Sequence, residues 1–265
     1  MPWKGWQNAE IYHDFVADHG IYRRLNAELT ARAGLESARR VLDLGCGTGA
    51  TTRAALARMP RDSEILGIDA SVEMVAVAAT RTLDPRAEFR VLAAGALDSL
   101  TARSFDRALS NAAVWQFPSM APVIEGLSLV LRPGGRFVFN VPAERVEGER
   151  SQVHAFQASL AREIEEATGA PLSRNPDTFD PDAFAMLLGR NGFALESTET
   201  FVYRCPQSEL VELMKIPAMT APMAPGLAWE ARIEIVERAA ARIDPDEVIE
   251  VPWVYYSARL EGEPG

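Results

Sequence analysis

The chain has 265 residues, 48% of them apolar and 24% charged, with a net charge of −10. That length buries a full core, while the acidity and the scatter of Lys and Arg along the chain disfavour nucleic acid as a partner. Two cysteines, Cys46 and Cys205, allow neither a zinc-ligand spacing nor a disulfide framework, so no metal is expected; no charged-then-apolar leader and no apolar run near twenty residues occur, which predicts a cytoplasmic protein without a membrane partner.

Apolar residues at helical spacing predict helices over 8–18, through Ile11 and Phe15, and over 21–33, through Ile21, Leu25 and Leu29. Strands and helices then alternate. The pattern predicts a strand at 40–44, a helix at 51–58, a strand at 64–69 and a helix at 71–83 with Ser71 as its N-cap. Strands at 88–93 and 106–110, a helix at 119–131, the turn Arg132-Pro133-Gly134-Gly135 and a strand at 136–141 follow. Such alternation predicts a doubly wound parallel α/β sheet with right-handed crossovers. Beyond Pro142 the spacing predicts an amphipathic helix at 152–168 and a polar loop at 169–180. A helix then starts at Asp180-Pro181 and stops at Asn191-Gly192. Strands at 193–203 and 248–260 close the order, and the long segment between them holds Met214, Met219 and Met223 among Pro217, Pro222 and Pro225 before a helix at about 229–242.

The densest signal is Val41-Leu42-Asp43-Leu44-Gly45-Cys46-Gly47-Thr48-Gly49. A strand runs into a glycine turn that lets backbone approach a ligand closely, and the helix behind it offers unpaired N–H groups. The dinucleotide fingerprint places its third glycine three residues after the second; here Gly49 follows Gly47 by two. With Asp43 inside the strand, the segment resembles motif I of the class I S-adenosylmethionine (SAM) methyltransferases. The resemblance continues in order over about 41–142: Gly67-Ile68-Asp69 is similar to motif II, the run from Phe105 to Ala113 to motif IV, and Leu131-Arg132-Pro133-Gly134-Gly135 to the structural turn before the fifth strand.

That resemblance implies a seven-stranded Rossmann-like sheet, mostly parallel with the last strand antiparallel, under a helical lid. Residues 1–36 would be N-terminal lid helices, 37–142 the SAM-binding core, and 143–265 the remaining helices and edge strands with an inserted cap at about 206–247. SAM would lie on Asp43, Gly45, Cys46, Gly47 and Gly49. Asp69 would accept both ribose hydroxyl protons, Ala70 and Met74 would line the adenine, and Asn111 and Ala112 would stand beside the methionine end. Met74 reads equally well as core. Tyr12 would fold over the cofactor. The family's usual Gly-Asp-Ala after the third strand reads Ala94-Gly95-Ala96 here, so Gly95 stands where an aspartate would meet adenine, with the Ala96 N–H or Asp98 as substitutes.

The acceptor side is read from residues near these motifs. Asn111-Ala112-Ala113-Val114-Trp115-Gln116 looks like the trans-aconitate and malonyl-carrier carboxyl methyltransferase branch. Trp115 and Gln116, with Trp6, Met219 and Met223, are the candidates to line a small-molecule site, completed by Trp3 and Phe117. Arg145, Arg174 and Arg204 are candidates to hold an acidic acceptor. His13 is a candidate general base, or a solvated histidine. The expected activity is SAM-dependent methyl transfer to a small molecule, at oxygen and by preference at a carboxylate because no strong base is evident, with carbon and nitrogen acceptors open. An NAD(P)-dependent oxidoreductase is the rival enzyme, disfavoured by the glycine spacing and the lack of a Tyr-x-x-x-Lys pair; a non-catalytic SAM-binding module is the other. Oligomeric state is not encoded in any of these features.

Overall fold

Val41, Leu42 and Leu44 have no solvent exposure, because their strand β1 (Arg40–Leu44) runs through the middle of the sheet. A computed structural model describes residues 3–147, 149, 153–172 and 179–261. Strands β2 (Glu64–Asp69), β3 (Ala87–Val91), β4 (Phe105–Ser110), β5 (Leu131–Pro142), β6 (Phe193–Pro206) and β7 (Val248–Leu260) join β1 in one seven-stranded sheet of order β3-β2-β1-β4-β5-β7-β6. Neighbours from β3 to β5 pair parallel, and β7 runs antiparallel between β5 and β6. Strand order reverses between β1 and β4, the place where open α/β sheets leave a crevice for ligands at the carboxyl ends of their strands.

Alternate strand residues feed two cores. Val41, Ile65, Val138 and Tyr255 join one with α1 (Trp6–Asp18), α2 (Gly20–Arg32), α3 (Ala50–Leu56) and the later helices α6 (Ala155–Thr168), α8 (Gln207–Met214), α9 (Pro217–Thr220) and α10 (Trp229–Ala240). Leu42, Leu66, Phe137 and Tyr256 join the other with α5 (Ala121–Val130) and α7 (Pro181–Arg190). Helix α4 (Val72–Arg81) packs against α1 through Met74, Val77 and Ala9. Among the described residues no helix is long and apolar enough to cross a membrane.

Several boundaries move for identifiable reasons. Strand β5 begins at Leu131 rather than 136, because Leu131 pairs with Phe105 and the register then shifts past the turn, where Gly134 takes φ +79°. Strand β6 runs on to Pro206 because β7 pairs with it along its whole length. The expected start of α6 at Gln152 lies outside the described residues; the helix begins at Ala155, with Gln157 Oε1 accepting from His154 N. The segment between β6 and β7 holds three helices where proline spacing suggested one. The first was hidden because it follows Pro206 without a linking loop.

That inserted segment is fastened to the N-terminal helices. Glu209 Oε1 accepts from Ile21 N at 2.6 Å, in the first turn of α2, and the same carboxylate takes the Tyr203 hydroxyl at 3.0 Å. Asn8 Oδ1 accepts from Ala218 N at 2.8 Å at the start of α9. An added Cβ at Gly20 would stand 2.4 Å from the Tyr203 hydroxyl oxygen, so a side chain there would displace Tyr203. Substituting Glu209→Leu strands the buried Ile21 N–H and is expected to cost about 1–3 kcal/mol, read as a lower urea midpoint. Glu209→Gln keeps an acceptor and loses less.

Candidate functional site

The glycine turn sits at the reversal of strand order. Gly45, Gly47 and Gly49 have φ of +66°, +51° and +82°, values that favour glycine. Cys46 N donates to Ile68 O at 3.0 Å and Gly49 N to Cys46 O at 2.9 Å, which closes the turn onto β2. A Cβ on Gly45 would lie 2.8 Å from Ala113 Cβ, and one on Gly47 would lie 3.3 Å from the Tyr12 ring. The turn is therefore clasped between the loop after β4 and α1. Beneath it, Asp43 is 1% exposed, and its Oδ2 accepts from Thr52 Oγ1 at 2.6 Å. Burial pushes the Asp43 carboxyl up to about 7, although the Thr52 hydrogen bond pulls the other way. Cys46 is buried too, and that burial raises its thiol well above the ordinary range.

Asp69 ends β2 within reach of the turn. Its Oδ2 accepts from Gly47 N at 3.0 Å and its Oδ1 from Ser71 N at 2.9 Å. Burial raises its pKa, while backbone N–H groups of Ser71, Gly47 and Ala70 favour the ionised form. Tyr12 makes edge contacts with Trp3 and Tyr22 at 5.4 and 5.5 Å. Its hydroxyl pKa is driven up by burial and by the nearby Tyr22, Asp69 and Asp43. Met74 is buried and packs with Ala9, Val77, Trp3 and Tyr12 in one apolar cluster, the core role that its sequence position equally allowed. At the next strand end Gly95 is exposed, and Ala96 N donates to Ala93 O at 2.9 Å. The backbone amide expected to reach an adenine nitrogen is thus spent inside its own turn. Asp98 lies in the short 3-10 turn Leu97–Ser99 and is exposed.

The exit of β4 is held by side-chain amides. Ser110 Oγ donates to Leu44 O at 2.9 Å and binds the ends of β4 and β1 together. Asn111 Nδ2 donates to Asn26 Oδ1 at 2.9 Å, which also accepts from Thr51 Oγ1 at 2.7 Å. Asn140 Nδ2 donates to Asn111 Oδ1 at 2.6 Å, and Asn140 Oδ1 accepts from Ala112 N at 2.7 Å. Ala112 has φ +53°. A left-handed alanine costs roughly 1–2 kcal/mol, and the Asn140 acceptor offsets part of it. Asn26, Thr51 and Asn140 were not among the residues singled out from sequence. One signal was available: Asn140 interrupts the otherwise apolar run from Phe137 to Val141.

Beyond this exit lies a second group. Trp115 packs against both cores, its ring 5.7 Å from that of Trp253, and the Arg145 guanidinium stands 5.8 Å over the Trp115 ring. Trp253 pairs with Pro142 at the end of β5, and its buried indole Nε1 has no hydrogen-bond partner among the described residues. Gln116 is exposed, with Nε2 3.3 Å from Ala112 O. Met219 and Met223 are half-buried against the core beneath α1 and α2. Trp6 and His13 lie elsewhere. They line a groove of about 480 Å³ between α1 and α4 with Glu10, Asp14, Val77, Thr80 and Arg81. Partial burial and the cations Arg81 and Arg53 lower the His13 pKa. Arg204 is exposed and pairs with Glu250 at 3.3 Å, and Arg174 lies outside the described residues.

The raised Asp43 pKa gives a signed prediction. The folded state keeps this proton up to about pH 7, whereas an unfolded aspartate releases it near pH 3.9. The group therefore stabilises the fold fully below about pH 4 and loses that contribution as pH rises through 7. Asp43→Asn should abolish that part of the slope. Urea midpoints at pH 4.5 and 7.5 should fall further for the parent than for the variant; parallel slopes would exclude the proton from Asp43.

A family profile described as a methyltransferase domain matches residues 35–175. Trans-aconitate 2-methyltransferase of Mycobacterium tuberculosis is 31% identical over 191 residues, covering 70% of this chain and 68% of that enzyme. Trans-aconitate 2-methyltransferase of Methylobacterium radiotolerans is 35% identical over 133 residues, so this chain spans about half, 49%, of that relative's length. Among solved structures, the YcgJ protein of Bacillus subtilis aligns with a TM-score of 0.61 over 91% of this chain and 99% of its own, at 16% identity. The last likeness speaks for the fold alone. The residues fit the cofactor that the family uses: the turn cannot take a Cβ at Gly45 without displacing Ala113, and a carboxylate stands beside it at the end of β2. The chain belongs to the class I methyltransferases, enzymes that take their methyl group from SAM.

Proposed function

We propose that this enzyme methylates a carboxylate oxygen of a small molecule that carries at least two carboxylates. The observation that carries the reading is Arg145 seated over Trp115, beside Trp253, at the exit of β4 and β5. The likeness to enzymes named trans-aconitate 2-methyltransferase supports it.

Bound SAM supplies a methyl group on a positively charged sulfur, already activated toward an in-line nucleophile. The chain's work is then to hold and orient, which alone can contribute on the order of 7–11 kcal/mol. Asp69, the glycine turn, Ala70 and Met74 would hold the nucleoside, with Asn111 and Ala112 at the other end. Arg145 would grip one carboxylate of the acceptor through charge-assisted hydrogen bonds. It cannot usefully grip the reacting one, because a cation on that oxygen would draw off the electron pair that attacks the methyl. The reading therefore assigns the attack on the methyl to a second carboxylate. A carboxylate is ionised at neutral pH and needs no general base. This agrees with the position of His13, whose groove neighbours all belong to α1 and α4. Residues 1–36 and the insert at 206–247 would close as one lid, since Glu209 and Asn8 fasten them together.

Methyl-labelled SAM incubated with di- and tricarboxylic acids, phenols and amines should label the polycarboxylic acids. Turnover should be nearly flat from pH 6 to 9, whereas a phenolic acceptor would give a rising profile. Label confined to phenols or amines refutes the proposal. Arg145→Gln should raise KM for the acid at least tenfold and leave the Kd for SAM unchanged. Asp69→Ala should weaken SAM at least tenfold by calorimetry; an unaltered Kd removes Asp69 from the ribose role.

A further inference from the structure

Asn140 is completely buried near the carboxyl end of β5, in a run that is otherwise apolar. A buried amide is costly unless its polar atoms are matched. Here the amide is spent on the neighbouring strand exit: Oδ1 takes the Ala112 N–H at 2.7 Å, and Nδ2 gives to Asn111 Oδ1 at 2.6 Å. Asn111 passes the connection to Asn26 of α2, which is also bonded to Thr51 of α3. The Tyr255 phenol touches the same amide and donates to Leu25 O of α2 at 3.2 Å. One side chain on β5 thus joins the β4 exit, the helix after the glycine turn and the cover helix.

We propose that Asn140 is a positioning residue for methyl transfer, holding the Asn111–Ala112 turn in its left-handed form and locking that turn to α2. The proposal rests on reading the β4 exit as the wall beside the methionine end of SAM. Ala112 has φ +53°, which an alanine abandons once nothing holds its N–H. Its carbonyl carries Gln116 Nε2 at 3.3 Å, and Trp115 is the adjoining residue. Relaxing Ala112 therefore moves the acceptor wall together with the donor wall. Reacting groups tolerate little misplacement, so the loss should fall on kcat as well as on cofactor affinity. Plain loss of packing predicts something different: lower stability that no change at Ala112 repairs.

Three variants separate these cases: Asn140→Ala, Asn140→Asp, and Asn140→Ala combined with Ala112→Gly. Each is measured for the SAM Kd by calorimetry, for kcat and acceptor KM separately, and for Tm. Asn140→Ala should weaken SAM at least fivefold and lower kcat at least tenfold. Glycine takes positive φ without being held, so the double variant should recover at least threefold in kcat over Asn140→Ala. Asn140→Asp keeps the acceptor for Ala112 N–H but loses the Nδ2 donor and, once ionised, sets its charge against the partial negative charge of Asn111 Oδ1. Its turnover should therefore fall as pH rises where the parent's does not, and this variant carries the test if Asn140→Ala does not fold. Parent values of Kd and kcat in Asn140→Ala would overturn the proposal, as would a double variant no better than the single one or an Asn140→Asp profile parallel to the parent's. A parent enzyme that does not bind SAM would refute the underlying site reading and the proposal with it.

Discussion

The hydrogen bond from Thr52 to the buried Asp43 carboxyl is the joint on which the site turns. It ties the middle of β1 to α3, and the glycine turn must bridge the distance between those two fixed points. The bridge is short, so the chain passes through left-handed backbone at Gly45, Gly47 and Gly49. That geometry, in turn, brings the N–H of Gly47 to Asp69 on the next strand. Removing the Thr52 hydroxyl would leave the buried Asp43 carboxyl with the Thr52 backbone N–H and one hydrogen bond fewer, a costly loss in a dry interior. The raised pKa of Asp43 and the placement of Asp69 thus share one origin, the burial of β1.

A second layer of polar contacts answers a problem created by strand order. The reversal between β1 and β4 opens a crevice whose walls are strand ends, and strand ends carry backbone groups without sheet partners. Here Ser110 Oγ meets the Leu44 carbonyl and Asn140 Oδ1 meets the Ala112 N–H, while Asn111 links Asn140 to Asn26. Such a chain of amides is stiff because each member fixes the orientation of the next. Stiffness suits a reaction whose main demand is alignment. It also explains how a left-handed alanine persists at the mouth of the site, where strain is kept only when the surroundings dictate it.

Sequence legibility follows from how local each feature is. The strands 40–44, 64–69 and 248–260 agree with β1, β2 and β7 because apolar pattern and turn residues lie within a few positions of one another. The glycine turn and Asp69 were readable for the same reason. The amide chain was not, since Asn26, Thr51, Asn111 and Asn140 are spread over the chain and meet only through packing. Helix α8 was obscured by Pro206 before it and by the prolines around α9, which mark breaks but not what lies between them. The single substitution at Gly95 was visible, yet its consequence was not: whether the Ala96 amide is available depends on a turn to Ala93.

Charge poses a last question, because the proposed acceptor is an acid and the chain carries a net charge of −10. At physiological ionic strength the Debye length is about 8 Å, so carboxylates dispersed over the surface contribute little inside the crevice. What the acceptor meets is local, and at the β4–β5 exit the nearest full charge on the Trp115 ring is the Arg145 cation. The Trp115 ring beneath it packs against Trp253, and a local dielectric lower than that of water strengthens a cation's attraction for an anion. The overall charge therefore does not stand against an acidic acceptor at this exit. On the proposed reading, selection among small acids would fall to the Arg145 guanidinium held over the Trp115 indole.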